Sequence, residues 1–410
     1  MNSKYFALLL LSVFLFSCKS ENKKSNLPIS EVEESVILQL YSPVNTHSSL
    51  PRLHSNSKKF FMSWVEKKDT ITTLKYASFE NNVWSVPIEI TSGTDWFVNW
   101  ADFPAFAENN GNILTNILQK SAQGTYDYDI KLSLFSKEKT DWKNNILLNL
   151  DGKLSEHGFV SMLPYQEDSF FVTWLDGRTL VEVPKDKEQM TLRGAVITKA
   201  GEITHDVLLD ERTCECCNTA AAITNNGPVV VYRNRTQDEI RDIAIVRWED
   251  GKWTSPQIVI ADNWYISGCP VNGPAIDALG SNLAMTWFTA ANDNPKVQVT
   301  FSEDNGKTFG LPFRIDNGNA IGRVAIVMLG NNSAAVLWME PRGVDTVIQL
   351  VKVNSNGMMN DPITITKTRS ERSSGFPQLE IVGDKIYVAW TSLEHENPTI
   401  EVVSLLKENL

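Results

Sequence analysis

The stretch FFVTWLD, residues 170–176, is an apolar run ending in an aromatic, and the chain repeats it. FFMSWVE (60–66), VVVYRN (229–234), LAMTWFT (283–289), AAVLWME (334–340) and IYVAWTS (386–392) have the same build. Short runs of aliphatic and aromatic residues of this kind favour β-strands. Their aromatics are Trp64, Trp174, Tyr232, Trp287, Trp338 and Trp390, at intervals of 110, 58, 55, 51 and 52 residues. The first interval holds two periods. The intervening unit falls at NILTNILQK (112–120), where Asn116 takes the aromatic position. Self-similarity at a period of roughly 50–55 residues marks a repeat architecture.

Each unit follows one grammar. A first strand (LPRLH, DFPAFA, GFVSML, NTAAAI, NGPAID, GRVAIV, GFPQLE) leads through a polar turn into the aromatic-ended strand. A third strand such as TLKYASF or VIQLVKV follows, then a tight hairpin and a fourth strand such as PIEIT or PITIT. Four antiparallel strands per unit predict an all-β chain folded as a single β-propeller of seven four-stranded blades. Six blades are the alternative if the Asn116 unit is irregular. An open β-solenoid or a pair of sandwiches is the other architecture such strands allow. The last unit lacks a fourth strand, and SVILQLY (35–41) is strand-like. That N-terminal strand is expected to complete the last blade and close the ring, removing two exposed sheet edges.

The chain begins MNSKYFALLLLSVFLFSC. One lysine and a short apolar run, too short to span a bilayer, read as a signal peptide over 1–17. Leu15-Phe16-Ser17-Cys18 resembles a lipobox. The resemblance implies lipidation of Cys18, with 18–34 as a flexible polar tether and 35–410 as the propeller domain. Lys19 does not match the aspartate of inner-membrane retention, so the expected location is the cell envelope, at the outer membrane, held by lipid alone. A formal net charge of −11 argues against a nucleic-acid partner.

The segment Ser302-Glu-Asp304-Asn-Gly306-Lys-Thr308-Phe309 resembles the Asp-box hairpin of sialidase-like (BNR-repeat) propellers. ENNVW, KEKTDW and EDGKW, ending at Trp84, Trp142 and Trp253, are partial forms in register with the repeat. TCECCNTAAA, YRNR, EIRDI and GCPVNGP are similar to segments of bacterial lipoproteins of sialidase-like type that carry a C-x-C-C motif. The resemblance implies a propeller fold and a glycan ligand. Sialidases of this family use an arginine triad, a Tyr–Glu nucleophile pair and an acidic Asp. Where they carry an Arg-Ile-Pro-type motif in the first blade, this chain has Pro51-Arg52-Leu53, so their catalytic set is not transferred to numbered positions here.

In a propeller, the links from fourth to next first strand and from second to third strand share one face. The unusual residues concentrate there, whereas the opposite hairpins are plain polar turns. Binding groups favour loops held by a rigid scaffold. Asp102, Glu156 and His157 are candidate acid–base residues of a glycoside hydrolase or lyase. Arg233 and Arg235 suit anionic groups, Trp96, Trp100 and Trp264 suit sugar rings, and Asn272 is a polar ligand-binding candidate. Salt-bridged arginines, packed tryptophans and a structural His157 are the competing readings.

Cys214, Cys216, Cys217 and Cys269 lie in adjacent links. In an exported protein an even count favours disulfides. The sharper alternative is a copper or zinc site, with His157 as a further ligand. Two functions therefore stand. One is a surface lipoprotein that binds or processes glycans or another anionic small ligand through its axial loops. The other is a non-enzymatic metal- or partner-binding propeller built on the cysteines.

Overall fold

The computed structural model describes residues 36–56 and 58–410, so the leader, Cys18 and the tether lie outside the described residues. Residues Val36–Leu410 form one compact unit. It holds seven antiparallel sheets. The first strand of each is, in order, Ser48–Ser55, Phe106–Asn109, His157–Tyr165, Ala220–Thr224, Ala275–Leu279, Gly322–Gly330 and Gln378–Val382. These strands face a central channel of about 220 Å³, lined in turn by Leu53, Phe106, Met162, Ala221, Ile276, Ile326 and Leu379. One contribution from each sheet makes a ring of seven blades.

The repeated aromatics explain why the blades stack. Trp64, Trp174, Tyr232, Trp287, Trp338 and Trp390 are all buried. Each packs against the preceding blade. Trp174 meets Leu114 and Leu132 of the second blade, Trp338 meets Val299 and Phe301 of the fifth, and Trp64 meets Tyr387 and Ala389 of the seventh. Twisted sheets diverge outward, and in six of the seven blades a large ring fills the gap that twist opens. Two of the indoles find partners two residues along their own strand: Trp174 donates to Asp176 at 2.8 Å and Trp338 to Glu340 at 2.9 Å. Residues i and i+2 share a face of a strand, so the W-x-D/E spacing serves both burial and hydrogen bonding.

The second blade is regular, and the six-blade alternative is set aside. Its strands are Phe106–Asn109, Asn112–Lys120, Tyr128–Ser136 and Asp141–Leu147. The buried Asn116 replaces packing with a hydrogen bond, its side-chain oxygen accepting from the Ala105 N–H at 2.9 Å.

Ring closure follows the expected route. Leu38–Leu40 pairs antiparallel with Thr399–Leu406, Leu38 opposite Ser404 and Leu40 opposite Val402. The closing strand is three residues long, shorter than the expected 35–41. On the hairpin face, Asp304 ties down its own turn. It accepts from the Thr308 N–H at 2.9 Å and from the Thr308 hydroxyl at 2.7 Å, while Gly306 takes a φ of 78°.

Candidate functional site at the axial face

The links that open the third blade and lead into its neighbours bring the candidate residues together. Tyr128 begins the third strand of the second blade, and it bridges Glu156 in the link just before the third blade. The Tyr128 hydroxyl donates to Glu156 Oε1 at 2.9 Å and lies 3.4 Å from Asp102 Oδ2. Asp102 Oδ1 accepts the Phe159 N–H at 2.7 Å. Burial pushes the Asp102 carboxyl up to about 8, against the pull of that N–H. Burial likewise raises Glu156 to about 7, against the Tyr128 hydrogen bond and the nearby His157. The Tyr128 hydroxyl is driven well above its usual value by burial and by the two carboxyls. Asp102 and Tyr128 are buried, while Glu156 is only half-buried and is the member that solvent reaches.

His157 sits beneath this trio. Its Nδ1 lies 3.1 Å from Ser155 O and 3.3 Å from Tyr128 O, and its Nε2 lies 3.1 Å from Asp151. Burial alone would lower its pKa, but Asp151 and Asp176 outweigh that and raise it. Arg178 closes the cluster, donating to Asp176 at 2.7 and 2.8 Å. Both ring nitrogens are thus turned to this cluster and to backbone carbonyls, not to the cysteines.

The cysteines come from two links. The sulfur of Cys214 is 3.8 Å from that of Cys216 and 3.6 Å from that of Cys217, while Cys269 lies in the next link, outside that close group. The expected disulfides are not formed: Cys214, Cys216, Cys217 and Cys269 are all free. A disulfide needs about 2.05 Å between sulfurs. Hydrogen bonding with Cys216 and Cys217, and then the Arg241 charge, hold the Cys214 thiol well below its usual range, and Arg241 Nη1 lies 3.0 Å from that sulfur. Burial raises Cys217 to about 12.

Several candidates occupy the expected links with their groups already engaged. Arg233 is buried, donating to the carbonyls of Arg241, Asn272 and Phe288, with its guanidinium 4.8 Å over the Trp264 ring. Trp264 is itself buried, so this pair is a packed plug rather than an open platform. Arg235 and Arg241 form a closed ring of ion pairs with Glu215 and Glu239. Trp100 stacks on Phe376 and lies under Arg323, and Trp96 is half-buried. Asn272 bonds the backbone of the next blade, its Oδ1 accepting from the Arg323 N–H at 2.8 Å.

Two features escaped the reading of the sequence. Tyr265, 65% exposed in the link that carries Cys269, and Tyr126, 58% exposed near Tyr128, are the open aromatics of this face. The only sequence signal for either is its place in a link of the axial face, Tyr265 in the link that carries Cys269 and Tyr126 in the link between the second and third strands of its blade. Inside the channel, Arg52, Asp277 and Glu380 lie on inner strands, and burial pushes Glu380 up to about 7. Charged residues at channel-facing positions of three first strands were the available signal.

No protein-family model matches the chain, and no curated protein sequence matches it. Among solved structures it is similar to the polysaccharide lyase Uly1, at 10% identity over 87% of this chain and 89% of that one, with a TM-score of 0.51. It is also similar to an α-L-arabinofuranosidase from Fusarium graminearum (11% identity, 91% and 98% covered, TM-score 0.49). A third is the NanB sialidase from Streptococcus pneumoniae (12% identity, 96% and 73% covered, TM-score 0.45). At such identity the first likeness is one of fold.

Proposed function

We propose that the axial face binds and processes a glycan, with Glu156 as the acid–base group. The observation that carries this reading is a solvent-reached carboxyl, raised to about 7, with the Tyr128 hydroxyl 2.9 Å away. A group that titrates there exists in both protonation states at neutral pH. It suits proton transfer to or from a sugar. Hydrolysis of a glycosidic bond uses a carboxylic acid, and elimination beside a uronate uses a general base that a carboxylate can serve as. Tyr128 orients Glu156. Asp102 acts through Tyr128, and His157 holds the two backbone carbonyls beside it as a positioning residue. Tyr126 and Tyr265 offer aromatic faces to sugar rings.

The polysaccharide-lyase activity of a protein of this fold supports the ligand class. Arg235 and Arg241 already answer Glu215 and Glu239, so the proposal rests on the acid–base carboxyl and not on an arginine clamp. The same reading places the protein in the cell envelope, lipid-anchored through Cys18, where polysaccharides are met.

Incubation with neutral and uronate-bearing polysaccharides tests it. Reducing ends alone report hydrolysis, and reducing ends with absorbing unsaturated termini report elimination. Turnover that falls at least ~100-fold in Glu156→Gln while glycan binding persists is the expected result. Neither binding nor product from any polysaccharide would sink the proposal.

A further inference from the structure

Cys214, Cys216 and Cys217 lie in the link between the third and fourth blades, and Cys269 in the link after the fourth. The first three sulfurs all lie within 4.8 Å of one another, two of the separations being 3.6 and 3.8 Å. Four sulfurs each about 2.3 Å from a tetrahedral ion stand about 3.8 Å apart along the edges, and three around a trigonal ion about 4 Å apart. The observed spacing therefore matches ligands of one shared ion, and it is nearly twice a disulfide bond.

We propose that Cys214, Cys216 and Cys217 form a binding site for one soft metal ion, Cu(I) or Zn(II), with Cys269 of the next link swinging in as its fourth ligand. Thiolates select these ions over hard cations. The surroundings fit the charge such a site carries. Arg241 donates to the Cys214 sulfur at 3.0 Å and is itself held by Glu215 and Glu239. The Cys214 N–H bonds the carbonyl of Arg233, whose guanidinium is fixed in turn by the next link. Partners of this kind orient metal ligands. Cys214 and Cys217 are buried while Cys269 is exposed, so Cys269 is the ligand free to move toward an ion held by the other three. Binding releases the thiol protons to solvent. The ion would staple two links that flank the fourth blade. This inference goes beyond the acid–base reading and does not depend on it.

The test uses the full chain carrying Cys18→Ser, reduced and handled without oxygen. It is titrated with Zn(II) against a chromophoric chelator and, separately, with Cu(I) against bathocuproine disulfonate. One ion per chain is expected, with affinity falling at least ~100-fold in Cys214→Ser, Cys216→Ser or Cys217→Ser, and about tenfold in Cys269→Ser. The ion that withstands the stronger competitor is the one the site selects. Circular dichroism checks that each variant is folded. Because a variant can fail to fold, a second readout stays on the unsubstituted cysteines: bound ion should slow their alkylation. Failure of both ions to bind stoichiometrically, alkylation at equal rates with and without ion, or undiminished binding in all four variants overturns the proposal.

Discussion

Asp102 and Asn272 occupy one place in two blades, two residues ahead of Pro104 and Pro274. Each accepts a backbone N–H from the next blade, Phe159 on Asp102 at 2.7 Å and Arg323 on Asn272 at 2.8 Å. Both donors have a positive φ, 52° and 53°, and each follows a glycine whose Cβ would fall 2.0 or 2.4 Å from the accepting side chain. This inter-blade clamp needs an oxygen, not a charge, and a protonated Asp serves as Asn does. With its pKa raised from 3.8 to about 8, Asp102 binds a proton more tightly folded than unfolded. Its ionisation therefore costs stability, a cost that grows from about pH 4 and is complete above about pH 8. Asp102→Asn is expected to match the parent at about pH 3.5 and to exceed it by well over ~1 kcal/mol at pH 9, read from urea melts. A loss at every pH would mean that the carboxyl's contact with Tyr128 is indispensable. For Glu156, the profile of turnover against pH is expected to bend near 7, rising through it if the group is a base and falling if it is an acid. A profile flat from pH 5 to 9 would exclude it from proton transfer. The sequence placed Asp102, Glu156 and the cysteines on one face because topology alone assigns links to faces. It did not distinguish Arg233, spent on carbonyls inside the fold, from an arginine open to ligand, because both follow a strand end.

At the scale of the strand, the repeat was legible because its signal is a buried ring in six of the seven blades, and burial of that ring helps set the blades' spacing. The closing strand was legible only as to its existence. Its pairing with Thr399–Leu406 covers just Leu38–Leu40, since Leu38 and Gln39 are exposed and carry no inward pattern that would fix its ends. Deleting 36–41 uncovers the outer edge of Thr399–Leu406 and removes the bond that joins the chain's ends. A melting temperature lower by several degrees and a tendency to aggregate are expected, seen by calorimetry and light scattering. An equally stable, monodisperse truncation would count against closure as a stabilising device. The hairpin 302–309 makes a local counterpart. Asp304→Ala removes both bonds to Thr308 and is expected to cost about 1 kcal/mol in denaturant unfolding, with the axial face untouched.

Across the whole molecule the two faces differ in kind. The hairpin face is built of self-satisfied polar turns, while the axial face gathers a raised carboxyl, open tyrosines and four free sulfurs. Such a division matters most for a protein held near a surface, because tethering fixes which ligands can diffuse to the mouth. Among the described residues no helix is long and apolar enough to cross a membrane. The proposed attachment therefore rests on the leader and on Cys18, which the propeller does not contain. Cys18→Ser removes the acylation point and keeps everything from residue 36 onward. The variant is expected to leave the membrane pellet, resist no high-salt wash, and melt at the same temperature as the parent. Retention in the washed pellet would refute anchoring by lipid. Release with an altered melting temperature would mean that the anchor also contributes to the fold, which a strand pairing confined to Leu38–Leu40 gives no reason to expect.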